Sequence, residues 1–310
     1  MTSHKDRHII EHGGRALPEL QQLFDQCPHG VIFFLTTIPN KHGGIGGAGL
    51  TSTTEEVALY FGINKSEIIS AGNLTRAFAI QYAYDTNREL YDQEGGAPTD
   101  KILEYYNNNC PDRTKRDQAM DEMIAALALQ KIAQQKGHGV ESPIVIVEGK
   151  AVALLMEHMI NELTKNIPAM VFIGLVAREE TAVERKQAYD AELLRAKGVP
   201  EAEIPGIPEV QMKRRERQET TGRLLHEAHP KLIKKKTYSY KGVRKNLHYV
   251  WNSTNISQRG ITKRGMAKIN KDLPGFLPKI TLPHGTNGKR PKGYSDPIGT
   301  DGQNRPIFAK

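Results

Sequence analysis

A glycine-rich segment that follows an apolar run is the sequence feature that most constrains the fold of this chain. The run Val31–Ile38 (VIFFLTTI) is almost entirely apolar or β-branched, as in a strand covered on both faces of a sheet. The segment Gly43–Ser52 (GGIGGAGLTS) comes soon after it and holds five glycines within seven residues. Together they predict a buried strand, a tight glycine loop and a helix.

The spacing within this segment fits the phosphate-loop pattern G-x-x-x-x-G-K-[ST] at all but one position. Gly44 and Gly49 take the glycine positions, Thr51 takes the hydroxyl position, and Leu50 replaces the lysine. Glycines let backbone N–H groups point inward, and a helix starting near Thr51 adds its positive end, which suits a polyphosphate. The alternative is a flexible glycine-rich loop. The predicted ATP-binding residues are Gly44, Gly46, Gly47, Ala48, Gly49, Leu50, Thr51 and Ser52.

The rest of the body alternates between short apolar runs and helical patterns. The candidate strands are Val31–Ile38, Glu67–Ser70, Pro143–Val147, Ala169–Ala177 and Leu247–Trp251. The candidate helices are Ser52–Phe61, Asn73–Leu90, Lys115–Gln135, Ala151–Leu163, Thr181–Lys197 and Pro208–Ala228. Repeated strand–helix units predict a three-layer, doubly wound α/β domain with a five-stranded parallel sheet.

Several further motifs follow the glycine segment in a fixed order. IISAGNLTRAF carries Arg76, the run IVIVEGK ends in Glu148 and Lys150, and VFIGLVAREETAVERK leads to Arg185. The charged helix MKRRERQETTGRLL and the segment HYVWNSTN come last. This series resembles the nucleoside monophosphate kinase group of phosphate-loop kinases. It is most similar to archaeal-type cytidylate kinases and nearly as similar to 2-phosphoglycerate kinases.

The resemblance implies a division of the chain. It covers a kinase-like domain at 30–256, with an acceptor-binding helical insert near 76–136 and a lid near 178–225. It does not cover the N-terminal extension 1–29 or the tail 257–310. Some members of both families carry Thr in place of the loop lysine, so the missing lysine does not by itself exclude phosphoryl transfer.

The implied activity is ATP-dependent phosphoryl transfer, with Mg²⁺, to a small phosphorylated acceptor such as a CMP-like nucleoside monophosphate or a 2-phosphoglycerate-like metabolite. Thr51 and Glu148 would hold Mg²⁺, and Arg76 with Lys150 would bind the acceptor phosphate, for which the planar arginine fork is suited. The predicted catalytic residues are Glu148 and the lid arginines Arg185, Arg215 and Arg223. The alternatives are an exposed turn for Glu148 and solvated helix surfaces for the arginines.

The segment 256–310 is basic and rich in glycine and proline. It holds 11 Lys or Arg against three Asp, which accounts for the whole net charge of +8. Because no helical or strand periodicity persists along it, an extended or partly disordered appendage is predicted. Such a tail is either solvated or in contact with nucleic acid.

Two other classes of function stay open. Leu50 favours a nucleotide-binding protein with impaired catalysis, and the basic tail with LIKKKTYSYKGVRKN favours a kinase associated with nucleic acid. Cys27 and Cys110 form no CxxC motif, no apolar run approaches about 18 residues, and the N-terminus lacks the apolar core of a secretory signal. A cytoplasmic protein without a membrane partner is therefore expected.

Overall fold

The structure is a computed structural model that describes residues 10–12, 30–38, 47–110, 113–149, 169–228, 230, 233–235, 247–274, 299–300 and 306–307. The chain divides into two compact units, Met1–Phe276 and Leu277–Lys310. The second unit contains a two-stranded antiparallel pair of Gly299–Thr300 with Pro306–Ile307. The predicted helix Ala151–Leu163 lies outside the described residues.

The first unit is built around one six-stranded sheet. Its strands are β1 (Ile10–His12), β2 (Val31–Thr37), β3 (Ile69–Ser70), β4 (Ile144–Glu148), β5 (Ala169–Val176) and β6 (Tyr249–Asn252). Their order across the sheet is β1-β6-β5-β2-β4-β3. Strands β2 to β6 are mutually parallel, which confirms the prediction of an α/β fold with five parallel strands. The sheet also has an antiparallel edge strand, β1, that was not predicted.

Eight α-helices lie within the described residues. They are α1 (Leu50–Tyr60), α2 (Ala71–Thr86), α3 (Arg88–Gln93), α4 (Asp100–Asn109), α5 (Arg113–Gly137), α6 (Glu179–Ala196), α7 (Ile207–Ala228) and α8 (Gln258–Asp272). None of these helices has the length and apolar character needed to cross a membrane. The predicted helix Asn73–Leu90 is instead two helices, α2 and α3, and neither α4 nor α8 was predicted.

Helices cover both faces of the sheet. Side chains alternate along each strand, so Phe34 packs in one core with Ile124 of α5. On the opposite face Phe33 contacts Phe61, directly after α1, with ring centroids 5.0 Å apart. Trp251 of β6 is fully buried against α8 on that face. The first unit is therefore a three-layer α/β/α arrangement, and the fold is compatible with a P-loop-like one.

Helix α8 corrects the prediction that 256–310 is an extended or partly disordered appendage. Ile261, Met266 and Ile269 on this helix are completely buried. A Cβ atom at Gly265 would lie 2.2 Å from the ring of Trp251, so the helix backbone lies directly on the indole. Apolar burial of this kind stabilises the helix against the sheet despite its basic composition. The prediction was wrong for α8.

Two helical groups extend from the sheet. Helices α2 and α4 pack together around a small core of Ala79, Ala83, Ile102 and Tyr106. Helices α6 and α7 pack against each other and are joined by a segment that contains the 3₁₀ turn Glu201–Glu203. The first group lies in the predicted helical insert, and the second lies in the predicted lid.

Candidate functional site

The carboxyl ends of the five parallel strands meet at one edge of the sheet, and four helices begin there. Helix α1 follows β2, α2 follows β3, α6 follows β5 and α8 follows β6. Strand β2 is central, with β4 on one side and β5 on the other. The crevice outside the carboxyl ends, where the strand order reverses, is the usual position of a ligand site in open α/β sheets.

The described part of the glycine segment, Gly47 to Gly49, forms a tight turn into α1 and is called the glycine loop below. Gly47 and Gly49 have φ angles of +85° and +79°, a region that L side chains rarely adopt. A Cβ atom on Gly47 would lie 2.0 Å from the carbonyl oxygen of Ala182 in α6. Glycine is therefore required where the loop meets α6. Gly44 and Gly46 lie outside the described residues.

Helix α1 begins at Leu50, and no side chain caps its N-terminus. The first N–H groups of a helix have no partner within the helix and carry its positive partial charge. Leu50 adds neither charge nor a hydrogen bond at the position of the missing lysine. Any anion bound here would therefore depend on backbone amides and on cations from other elements.

Thr51 and Glu148 are in direct contact at this edge. The hydroxyl of Thr51, in the first turn of α1, donates to Oε1 of Glu148 at 2.9 Å. Glu148 is the last residue of β4, the strand beside β2. The helix that follows β2 and the end of the neighbouring strand β4 therefore present one hydroxyl and one carboxylate to the same place. These are two hard oxygen ligands, of the kind that Mg²⁺ prefers.

Several charges surround the carboxyl of Glu148. Burial raises its pKa, the hydrogen bond from Thr51 lowers it, Glu55 raises it, and the cations Lys65 and Arg76 lower it. Lys65 and Glu55 form an ion pair with each other. Sequence reasoning missed Glu55 and Lys65, although Glu55 follows Thr51 by one helical turn and so shares its face of α1.

Arg76 lies near Glu148 from the next helix. Ser70 caps α2 by accepting from the N–H of Asn73 at 3.4 Å, and Arg76 Nη1 donates to Oδ1 of Asn73 at 3.0 Å. Arg76 is exposed, and its positive charge lowers the pKa of the Glu148 carboxyl. A guanidinium is thus held beside the Thr51–Glu148 pair. Lys150, the other predicted acceptor ligand, lies outside the described residues.

The three predicted lid arginines have different partners. Arg185 Nη2 donates to the carbonyl oxygen of Ser253 at 2.7 Å. Arg215 donates through Nε and Nη2 to Oε1 of Glu179, at 3.2 and 3.1 Å. Arg223 pairs with Glu227, one turn further along α7, at 3.5 Å. The structure therefore places Arg185 at the carboxyl edge of the sheet, pairs Arg215 of α7 with the first turn of α6, and leaves Arg223 on the surface of α7.

Ser253 was not singled out from the sequence, although it directly follows β6. It is fully buried, and its hydroxyl donates to the carbonyl oxygen of Ala48 in the glycine loop at 2.7 Å. Its only sequence signal is its place in the segment HYVWNSTN, at the end of the last parallel strand.

No protein-family model matches this chain, and no curated protein matches it significantly in sequence. Its function is therefore inferred from the residues that meet at the carboxyl edge of the sheet.

Proposed function

We propose that the protein transfers a phosphoryl group from ATP to a small phosphorylated acceptor. The observation that carries this proposal is the 2.9 Å hydrogen bond between Thr51 and Glu148, placed at the start of the helix that follows the central strand. A glycine loop, a helix N-terminus, a hydroxyl and a carboxylate in this arrangement suit a metal-bound polyphosphate.

The residues present fit Mg²⁺. Thr51 and Glu148 would hold the ion, directly or through water, and Mg²⁺ commonly takes only one or two carboxylates and completes its shell with water and phosphate oxygens. Within the described residues, no group of three or more His, Cys, Asp or Glu side chains could form a fuller protein cage. When bound, the ion would neutralise charge on the phosphates.

The protein's own contribution is positioning and charge. In the proposed reaction an acceptor oxygen forms a bond to the γ-phosphorus while the bond to the β,γ-bridging oxygen breaks, and ADP leaves. The amides of the glycine loop and of the first turn of α1 would hold the ATP phosphates in line. With Leu50 at the lysine position, these amides would bear more of the binding than in a loop that has a lysine.

Arg76 would bind the acceptor phosphate. It stands at the start of α2, beside Glu148 and exposed to a ligand above the sheet edge. Its bond to Asn73 occupies Nη1 and orients the guanidinium. A charge-assisted arginine contact of this kind typically contributes about 1.5–3 kcal/mol.

Calorimetric titration with ATP, with and without Mg²⁺, tests the nucleotide site. We expect Mg²⁺-dependent binding by the wild type. Binding should weaken by about 10–100-fold in Thr51→Val, which keeps the shape of the side chain and removes the hydroxyl. Ser142→Ala, at an exposed position before β4, is the control and should bind as the wild type does. If the wild type does not bind ATP, the proposal is wrong.

ADP release over a panel of acceptors tests catalysis. Nucleoside monophosphates, 2-phosphoglycerate and related phosphorylated metabolites would each be supplied with Mg²⁺ and ATP. Turnover on one of them supports the proposal and identifies the acceptor. ATP binding without turnover on any acceptor would instead select the alternative of a nucleotide-binding protein with impaired catalysis.

A further inference from the structure

The glycine loop is held by a hydrogen-bond chain that starts at a helix of the lid. Arg185 Nη1 donates to Oγ of Ser253 at 3.1 Å, and that hydroxyl donates onward to the carbonyl oxygen of Ala48 at 2.7 Å. Ala48 lies between the two glycines with positive φ. Because glycine backbones have little preference of their own, the bond at Ala48 determines how the neighbouring peptides are oriented.

Arg185 makes more than one hydrogen bond to Ser253. Its Nη2 donates to the carbonyl oxygen of the same Ser253 at 2.7 Å. Its side chain is partly buried, and burial lowers the pKa of the guanidinium, which stays charged at all ordinary pH values. A charged donor polarises the Ser253 hydroxyl and strengthens the bond that the hydroxyl makes to Ala48.

The loop also touches α6 and α8 directly. Gly47 lies against the backbone of Ala182, one turn before Arg185 on α6. A Cβ atom at Gly49 would lie 2.8 Å from Nε2 of Gln258, the first residue of α8. The loop thus lies between the two helices that follow β5 and β6. Arg185 belongs to the first of these helices and Ser253 directly follows β6, so their hydrogen bonds link the loop to both of these segments.

We propose that Arg185 and Ser253 are positioning residues that hold the glycine loop in its binding conformation, and that Arg185 acts through Ser253 and makes no contact with the transferred phosphoryl group. The role in ligand binding rests on the function proposed above. Without a lysine at position 50, the amides of the loop must supply the phosphate contacts, so their orientation decides the affinity.

The hydrogen bonds by which Arg185 and Ser253 hold the glycine loop are called the clamp below. Hydrogen exchange on the nucleotide-free protein, with the whole chain present, tests the clamp without reference to activity. We expect amide exchange from Gly47 to Thr53 to accelerate at least about tenfold in Arg185→Ala and Ser253→Ala, because loss of the bonds favours local opening. Arg195→Ala is the matched control: this arginine is on the same helix but pairs with exposed Glu201, and its loss should leave loop exchange unchanged. Unchanged loop exchange in Ser253→Ala, the milder variant, would overturn the proposal.

Calorimetry and steady-state kinetics on the same variants test the link to function. We expect Arg185→Ala and Ser253→Ala each to weaken ATP binding by about tenfold, and the double variant to bind no more weakly than Arg185→Ala, since both residues act in series. A large loss of kcat in Arg185→Ala with normal loop exchange and a near-normal Ser253→Ala would instead make Arg185 a catalytic residue and refute the clamp. If the wild type binds no ATP, the proposed function fails, while the exchange experiment still decides whether the clamp exists.

Discussion

Glu148 is half-buried at the end of β4, and its burial raises the pKa of its carboxyl above the ordinary value of 4.5. A carboxyl whose pKa is higher in the folded than in the unfolded state stabilises the fold while it is protonated. That contribution is complete below the unfolded-state pKa and is lost as the pH rises through the folded-state pKa. At neutral pH the ionised Glu148 therefore lowers the stability of the metal-free protein.

We expect Glu148→Gln to melt at a higher temperature than the wild type at pH 7 in metal-free buffer, because the amide carries no charge to desolvate. The difference should shrink at pH 4, where the wild-type carboxyl is protonated. Thermal melts of both proteins at the two pH values measure this. Glu141→Gln removes the same charge at an exposed site and should change neither melt. A lower melting temperature of Glu148→Gln at pH 7 would contradict the prediction.

Arg76→Ala should act on the acceptor and spare ATP. Loss of a charge-assisted arginine contact corresponds to roughly tenfold to more than a hundredfold in affinity. We therefore expect a higher acceptor KM or a lower kcat, with ATP affinity nearly unchanged. Because the charge of Arg76 lowers the pKa of Glu148, the acid limb of the pH–rate profile should also move to higher pH. Weaker ATP binding with a normal acceptor KM would reverse the assignment of the two phosphate sites.

At the residue scale, the resemblance to phosphate-loop kinases assigned Thr51 and Glu148 to one Mg²⁺ site. Such a shared site requires the two side chains to lie close together, and they are in contact. The partner of Arg215 was not predictable. It binds Glu179, 36 residues earlier, and that choice depends on how α6 and α7 pack. The sequence alone does not distinguish a charged helix residue that faces a ligand from one that faces a carboxylate.

At the element scale, the composition of the basic segment concealed α8. The buried positions Ile261, Gly265, Met266 and Ile269 follow a helical period, and Ser257 caps the helix by accepting from the N–H of Gly260. Two of the helix residues are glycines, and charged residues fill its exposed side. The helical period covers only this short part of a 55-residue stretch that is rich in glycine and proline, so the pattern of the whole stretch did not indicate a helix.

Helix boundaries set by polar caps were also missed. Asn87 separates α2 from α3, and its side chain accepts from the N–H of Leu90 at 3.1 Å. The stretch contains no glycine or proline that would mark a break, so the apolar pattern reads as one helix. An asparagine cap ends a helix and begins the next through a local side-chain hydrogen bond. The spacing of apolar residues does not reveal such a bond.

Gly265→Ala tests the packing of α8 on the sheet. The new methyl group would meet the buried ring of Trp251 at 2.2 Å, and overpacking of this kind typically costs about 1–3 kcal/mol. Gly137→Ala is the matched control, because nothing lies within 4 Å of its Cβ position at the end of α5. We expect Gly265→Ala to lower the melting temperature and Gly137→Ala to leave it unchanged or raise it. Equal melting temperatures of the two variants would mean that α8 does not lie on Trp251.

At the scale of the whole molecule, the parallel sheet was the most predictable feature. Five apolar runs separated by helical patterns leave few topologies for a chain of this length. The observed strand bounds lie within two residues of the predicted ones. Strand β1 was missed because three residues, two of them polar in Glu11 and His12, carry no periodic signal. Strand β1 pairs with the edge of β6 that no other strand of the sheet occupies, and this long-range pairing leaves no local pattern in the sequence.

Truncation separates the two units. A chain that ends at Phe276 retains every element of the first unit, and we expect its melting temperature to equal that of the full chain. A chain that ends at Ile256 lacks α8 and exposes Tyr249 and Trp251, which are fully buried in the intact protein. We expect this shorter chain to lose cooperative unfolding in a calorimetric scan. Cooperative unfolding of the shorter chain would show that α8 is dispensable.

The pairing of β1 with β6 joins residues about 240 positions apart in the chain. At ribosomal rates of about 5–20 residues per second, β1 emerges roughly 12–48 s before its partner. Strand β5 is complete about 73 residues before β6 begins. For roughly 4–15 s of that interval the outer edge of β5 therefore has no neighbouring strand, and an open edge pairs readily with another chain. The nascent protein is exposed to association during those seconds, and its recovery from cells should depend on chaperone capacity and on the rate of translation.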